Sequence, residues 1–258
     1  MSDLHWTTAI TSVKPNEIRL RGYRIDELIG QVTFGEAVYL ALKGERPSPE
    51  VGRLMNAMLV SSIDHGATPP SVLAARTAAS TGATLSASLA AGVLAINRYH
   101  GGAIEGCMRL LVEAIGRLDG DTLPQALASK MLAELKVEGK RAPGFGHRIH
   151  TDDPRTRRLL ALADELQVGD KGVMMARAFE EALEVDLGRR LPLNVDGALA
   201  ALLVDLGFPP ELGNAFFIAT RVIGLAAHVH EEMATQRPMR RIHPTDHEYD
   251  GPDPREWE

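Results

Sequence analysis

The chain is 258 residues long, with 45% hydrophobic and 24% charged residues and a formal net charge of -6. That length can bury a substantial core, and the composition is that of a globular protein rather than a disordered one. A net acidic chain lacks the basic face that phosphate neutralisation needs, which argues against a nucleic-acid binder, and a single cysteine excludes an intrachain disulfide and a cysteine-based zinc site.

In chain order, "WTTAITSVKPNEIRLRGY" alternates in short β-like runs around Lys14-Pro15-Asn16-Glu17, the pattern of a small hairpin. Helical periodicity then takes over. "TFGEAVYLALKG" has an N-cap in Thr33, a capping-box partner in Glu36 and a stop at Gly44. A second helix starts from Ser48, and "PPSVLAARTAAS" opens with prolines suited to a first helical turn. "TLSASLAAGVLAINRY" is so uniformly small and apolar that it reads as a helix buried on nearly all sides, within the core or across a dimer. Six further helical segments follow, from "AIEGCMRLLVEAIGR" to "PELGNAFFIATRVIGLAAHVHEEM". About ten helices and one hairpin make an all-α fold.

Cys107, between Gly106 and Met108 with no activating base beside it, reads as a small apolar core residue. Beyond Met233 the chain turns to Arg, Pro, His and Asp, and residues 242–258 form a polar tail unable to build a core. The first residues lack a basic stretch followed by an apolar one, and no apolar run reads as membrane-spanning, so a cytoplasmic protein is expected.

A few ionisable residues interrupt this apolar background at helix ends and loops: His65, His100, His147, Arg148, Arg155, Asp196, Arg221 and Arg237. Each has a bland reading. A lone histidine is most often a satisfied surface or core residue, Asp196 can cap the helix it opens, Arg221 can be a paired interior arginine, and "DDPR" can be a solvated charge run. In "APGFGHRIHTDDPR" the two glycines, 144 and 146, allow backbone bends and close approach, which places His147 on a bend rather than on a helix face.

Taken together, these residues resemble the citrate synthase superfamily. "GFGHRIHTDDPR" resembles its "GFGHR...DPR" signature, "HGGAIE" its "HGGA.E" element and "NVDGAL" its "NVD" segment. "LRGYRIDEL" and "IATRVIGLAAHVHEE" followed by "RP" are similar to its opening and closing elements, so the likeness runs from Thr8 to Arg241. The short frame looks like the minimal module of citryl-CoA lyase and of the carboxyl end of ATP-citrate lyase. His150 stands where the family's loop often carries tyrosine.

The resemblance implies a citrate synthase-like module over residues 1–241, a large domain with a reduced small domain to which about 105–200 contribute. It implies cleavage of citryl-CoA to acetyl-CoA and oxaloacetate, or, as the alternative, a citrate or methylcitrate-type synthase. By the same resemblance Asp196 exchanges the proton α to the thioester, His100 hydrogen-bonds the enolate oxygen, and His147 exchanges the hydroxyl proton. His65, Arg155, Arg221 and Arg237 hold substrate carboxylates, with Arg237 reaching across a homodimer or a dimer of dimers. Gly144, Phe145, Gly146 and Arg148 approach CoA, and no metal or redox cofactor is required. Two rival classes compete with this reading. One is a metal-dependent hydrolase on His228, His230 and Glu231, although helical residues two apart point in different directions. The other is a non-catalytic dimeric scaffold.

Overall fold

The computed structural model describes residues 6–146 and 151–240. His147, Arg148, His150 and the tail 242–258 lie outside the described residues. Within them the chain forms eleven α-helices and one small sheet, the all-α architecture expected.

Strands β1 (Thr11–Lys14) and β2 (Glu17–Leu20) pair antiparallel with Lys14 opposite Glu17, so Pro15 and Asn16 make the turn. Asn16 takes the left-handed conformation at φ +62°, which its short polar side chain tolerates. A third strand, β3 (Tyr23–Arg24), pairs with β2; two residues offer no alternation for a sequence reading to detect. After α1 (Ile25–Leu28), helix α2 (Phe34–Lys43) has the full capping box: the Thr33 side chain accepts from the Glu36 N–H, and the Thr33 N–H donates back to Glu36 Oε2 at 2.7 Å. Gly44 ends it at φ +84°. Ser48 caps α3 (Pro49–Ser61), and prolines open α4 (Pro70–Ser80).

Helices α5 (Leu85–Leu94), α6 (Ala103–Arg117), α7 (Pro124–Val137), α8 (Pro154–Leu166), α9 (Lys171–Leu187), α10 (Val195–Asp205) and α11 (Gly213–Thr235) follow. The centre of the molecule is α10, in which every residue from Gly197 to Leu203 is buried; this explains why its sequence has no polar face. It packs against α6, α8 and α9, whose Leu111, Leu159 and Phe179 share its core. A smaller core lies apart, where Val72, Ala75 and Ala79 of α4 meet Leu225 and Val229 of α11.

Two expectations change. Only Ser88 and Gly92 of α5 are buried, and Leu94 is 77% exposed, so the described residues of its own chain do not bury this helix. The stretch Pro210–Thr235 does have the length and composition of a membrane span. It nevertheless packs against α3, α4, α5 and α6 and buries Arg221 and Glu232, as a core helix does.

The loop at 143–146 lies directly on the start of α10. Its Gly144 carbonyl accepts from the Asn194 N–H at 3.0 Å, the Gly146 N–H donates to the Pro192 carbonyl at 2.7 Å, and Asn194 Nδ2 donates to the Gly146 carbonyl at 2.8 Å. A Cβ on Gly197 would stand 2.3 Å from the Gly144 oxygen. The backbones touch because neither residue has a side chain. Replacing Gly197→Ala should therefore cost about 1–3 kcal/mol by overpacking, seen as a lower midpoint in thermal melts followed by circular dichroism. Gly116→Ala, where a Cβ meets nothing within 4 Å, should leave the midpoint unchanged or raise it.

Candidate active site

Helix α11 organises one wall through residues four apart. Thr220 Oγ1 lies 3.0 Å from Ser62 Oγ, a Cβ on Gly224 would approach the Ile63 carbonyl to 2.3 Å, and His228 Nε2 lies 3.0 Å from Asp64 Oδ1. Positions 220, 224 and 228 share one helical face, so the loop carrying His65 is docked along it. His65 itself is exposed. Desolvation alone would raise the Asp64 carboxyl, but the Gly66 and His65 N–H groups and His228 hold it below the usual range.

Arg221, on the same helix, is 2% exposed. Its Nη2 reaches the Ser62 carbonyl at 3.4 Å, and its guanidinium lies 4.5 Å from the Phe217 ring centroid. Nε and Nη1 have no hydrogen-bond partner among the described residues, although both are buried. Burial lowers the Arg221 pKa, and the carboxylates of Asp64 and Asp196 oppose that shift. Unsatisfied buried donors on a cation are costly, so these two are set for an acceptor.

His100 lies in a tight turn closed by reciprocal backbone bonds with Asn97 at 2.8 and 2.9 Å. The two glycines after it are sterically required. A Cβ on Gly101, at φ +87°, would lie 2.9 Å from the Phe217 ring, and one on Gly102 would lie 2.7 Å from the Arg98 carbonyl. The imidazole Nε2 is 2.8 Å from Ser71 Oγ, and its ring stands edge-on to Phe217. Desolvation, and then the nearby Arg221 charge, lower the His100 pKa and favour the neutral ring.

Asp196 lies in the first turn of α10 but does not cap it; Asn194 does, accepting from the Gly197 N–H at 3.1 Å. That leaves the Asp196 carboxyl for another purpose. Desolvation raises its pKa against the pull of Arg155 and Arg221, with Asp153 adding to the rise. The "DDPR" run is not a solvated one. Asp153 is 1% exposed, caps α8, and grips Arg155 through Nε at 3.0 Å and Nη2 at 2.8 Å.

The structure thus brings His100, Asp196 and Arg155 each within electrostatic reach of Arg221 and docks the His65 loop beside Arg221. Arg237 is exposed on the segment after α11. Gly144 and Gly146 are at φ +87° and +82°, and Phe145 packs 6.3 Å from Phe179. Cys107 is fully buried against this loop, its thiol pushed up to about 12 by burial and then by Asp196, which leaves no reactive thiolate. His228 is turned to Asp64 while His230 and Glu231 are exposed, so that trio is not gathered at one point. Sequence reasoning missed Ser71, Asp64, Asp153 and Asn194. Of these Asn194, just ahead of an apolar helix, and Asp153, just ahead of Pro154, carried a recognisable capping signal.

A family model described as citrate synthase, C-terminal domain, matches residues 40–244, and the chain belongs to the citrate synthase family. The solved structure of citryl-CoA lyase from Hydrogenobacter thermophilus is 42% identical, with a TM-score of 0.89 over 98% of this chain and 97% of that one. Citrate synthase from Thermotoga maritima is 27% identical with a TM-score of 0.69, covering 88% of this chain and 60% of that one. Among curated proteins, a probable ATP-citrate synthase of Dictyostelium discoideum is 27% identical over 94% of this chain. A citrate/2-methylcitrate synthase of Bacillus subtilis is 33% identical over 77% of it. The chain spans 40% and 52% of the length of those two proteins.

The raised Asp196 pKa has a consequence for stability. The folded chain holds this proton more tightly than the unfolded chain does. Its charge therefore costs stability above the raised pKa, and the cost disappears below the ordinary value of 3.8. Asp196→Asn should melt higher than the parent at pH 7, by about 2–4 °C for each kcal/mol of relieved desolvation, and the gap should close as the pH falls below 3.8. A lower melting point at pH 7 would mean that the arginines outweigh desolvation.

Proposed function

We propose that the protein is a citryl-CoA lyase, cleaving citryl-CoA to acetyl-CoA and oxaloacetate. The observation that carries this reading is the buried Arg221 guanidinium, whose Nε and Nη1 have no hydrogen-bond partner among the described residues, within electrostatic reach of a carboxyl and an imidazole both shifted by burial toward the neutral form. A planar cation set for an anion suits a substrate carboxylate, with Arg155, His65 and Arg237 taking the others. His147 accepts the substrate hydroxyl proton, the carbon–carbon bond breaks to give the oxaloacetate ketone, and its electron pair passes to the acetyl-CoA enolate. Asp196, whose raised pKa keeps a proton available, protonates the enolate carbon. His100, held by Ser71 through Nε2, presents its other nitrogen as a donor to the thioester oxygen as negative charge develops there. The thioester itself acidifies the methyl group, so no metal or redox cofactor enters the scheme. Gly144, Phe145, Gly146 and Arg148 are assigned to CoA. Preference for the lyase over a synthase is supported by the 42% identity and TM-score of 0.89 with the Hydrogenobacter enzyme, against 27% and 0.69 with the Thermotoga synthase.

A homodimer, with Arg237 entering the neighbouring site, is part of the same proposal. It is supported by α5, where Ala87, Ala90 and Leu94 lie uncovered along one stripe of an otherwise apolar helix. A cytoplasmic location fits this soluble chemistry.

Incubation with citryl-CoA should give acetyl-CoA and oxaloacetate with little free CoA or citrate. Steady release of CoA and citrate from acetyl-CoA plus oxaloacetate would make the protein a synthase instead. Asp196→Ala should lower kcat by about 10²–10⁴-fold, the span of general acid–base catalysis, and unchanged CoA-ester turnover would remove Asp196 from the mechanism. Ala90→Glu should halve the mass in analytical ultracentrifugation and abolish cleavage; a mass unchanged from the parent would reject α5 as the interface.

A further inference from the structure

Glu232, near the end of α11, is 2% exposed. Its carboxylate is shared between two arginines: Arg76 Nε of α4 donates to Oε2 at 2.6 Å, and Arg240 Nε donates to Oε1 at 2.8 Å. Between those anchors the chain leaves the helix and turns back. The Gln236 N–H donates to the Glu232 carbonyl at 3.1 Å, and the Met239 N–H donates to the Ser80 carbonyl, at the end of α4, at 2.7 Å. Met239 is held at φ +52°, a left-handed conformation that a non-glycine residue adopts only when its surroundings impose it. Pro238 fixes a further dihedral.

An exposed post-helical segment frays unless it is tied down, and this one is tied at 236, 239 and 240, with Arg237 between the ties. A buried carboxylate bridging two guanidiniums is a poor source of net stability, since an apolar replacement is often as good; what it provides is a fixed geometry. We propose that Glu232, with Arg76 and Arg240, is a positioning residue that straps residues 236–240 to α4 so that Arg237 is presented to a substrate carboxylate. This rests on the reading of Arg237 as a carboxylate ligand from the neighbouring subunit.

The test compares Arg237→Ala, Arg240→Ala, Arg240→Lys and the Arg237→Ala/Arg240→Ala double variant, with Glu232→Gln added if it folds. Two quantities are read on the full-length protein: the KM and kcat for citryl-CoA cleavage, and the Kd for citrate by calorimetry, with dimer mass and melting point as controls. Loss of a charged carboxylate contact should raise KM and Kd about tenfold or more in Arg237→Ala. Arg240→Ala should raise both several-fold with kcat within about twofold, Arg240→Lys should recover most of the loss, and the double variant should be no worse than Arg237→Ala alone, as for residues acting through one another. If Arg240→Ala leaves KM and Kd unchanged, or the double variant multiplies the two effects, the strap does not position Arg237 while the lyase reading stands. If Arg237→Ala itself changes neither quantity, Arg237 is not a carboxylate ligand and the strap proposal falls with it. Absence of citryl-CoA turnover in the parent would sink the lyase reading, and the citrate Kd series would still decide the strap.

Discussion

Much of this structure depends on one close contact between backbones, the approach of the 143–146 loop to the first turn of α10. With Gly144 and Gly197 facing each other, the loop can be stitched to Asn194 and Pro192 by hydrogen bonds that any side chain at the contact would break. The consequence is positional. The loop is bonded to the turn that carries Asp196, so residues 144–146 are fixed relative to that turn by main chain rather than by flexible side chains. The glycines therefore serve packing first, and any approach of CoA to this loop uses a backbone that α10 has already shaped.

The electrostatics follow from the same burial. An isolated charge in such a place would be neutralised or expelled, and the site avoids this by distributing incomplete pairings. Arg155 is satisfied by Asp153. Arg221 is only partly satisfied, by the Ser62 carbonyl and the face of Phe217. Asp196 is close enough to both arginines to feel them, yet desolvation still raises its pKa. His100 is pushed the other way, toward the neutral ring. The result is a group of side chains with spare positive donors, a carboxyl shifted toward its protonated form and an imidazole shifted toward its neutral one, a combination suited to binding an anion.

How much of this the sequence disclosed depended on the range of the interaction. Thr33, Glu36 and Gly44 could be read because a capping box and a left-handed stop are complete within twelve residues. The glycines after His100 could be noticed, but not that they make room for Phe217, which lies more than a hundred residues away. The bland readings of Asp196 as a cap and of "DDPR" as a solvated run both failed for the same reason. Asp196 and Asp153 stand where helices begin; Asn194 takes the cap of one, while Asp153 caps the other and also grips Arg155. Ser71 carried no signal, because a serine in the first turn of a helix is ordinary and its importance comes only from His100 folding back onto it. The composition of α5 promised burial. What it left open, between the core and a dimer, was where the covering surface lies, and the described residues cover only Ser88 and Gly92 of this helix.

Helix α4 joins these observations physically. One side of it, Val72, Ala75 and Ala79, forms the small core with Leu225 and Val229 of α11. Around that core α4 sends Ser71 to His100, Arg76 to Glu232 and the Ser80 carbonyl to Met239. It therefore supports both the imidazole of the site and the segment bearing Arg237, and it does so through a core separate from the one that holds α10 and Asp196. Helix α11 spans both cores, with Phe216 and Phe217 in the larger and Leu225 and Val229 in the smaller, so Arg221 stands where the two meet. Helix α5 packs on the same α4 and α11 and leaves Ala87, Ala90 and Leu94 exposed, so the smaller core is bordered by an apolar face that the described residues leave open.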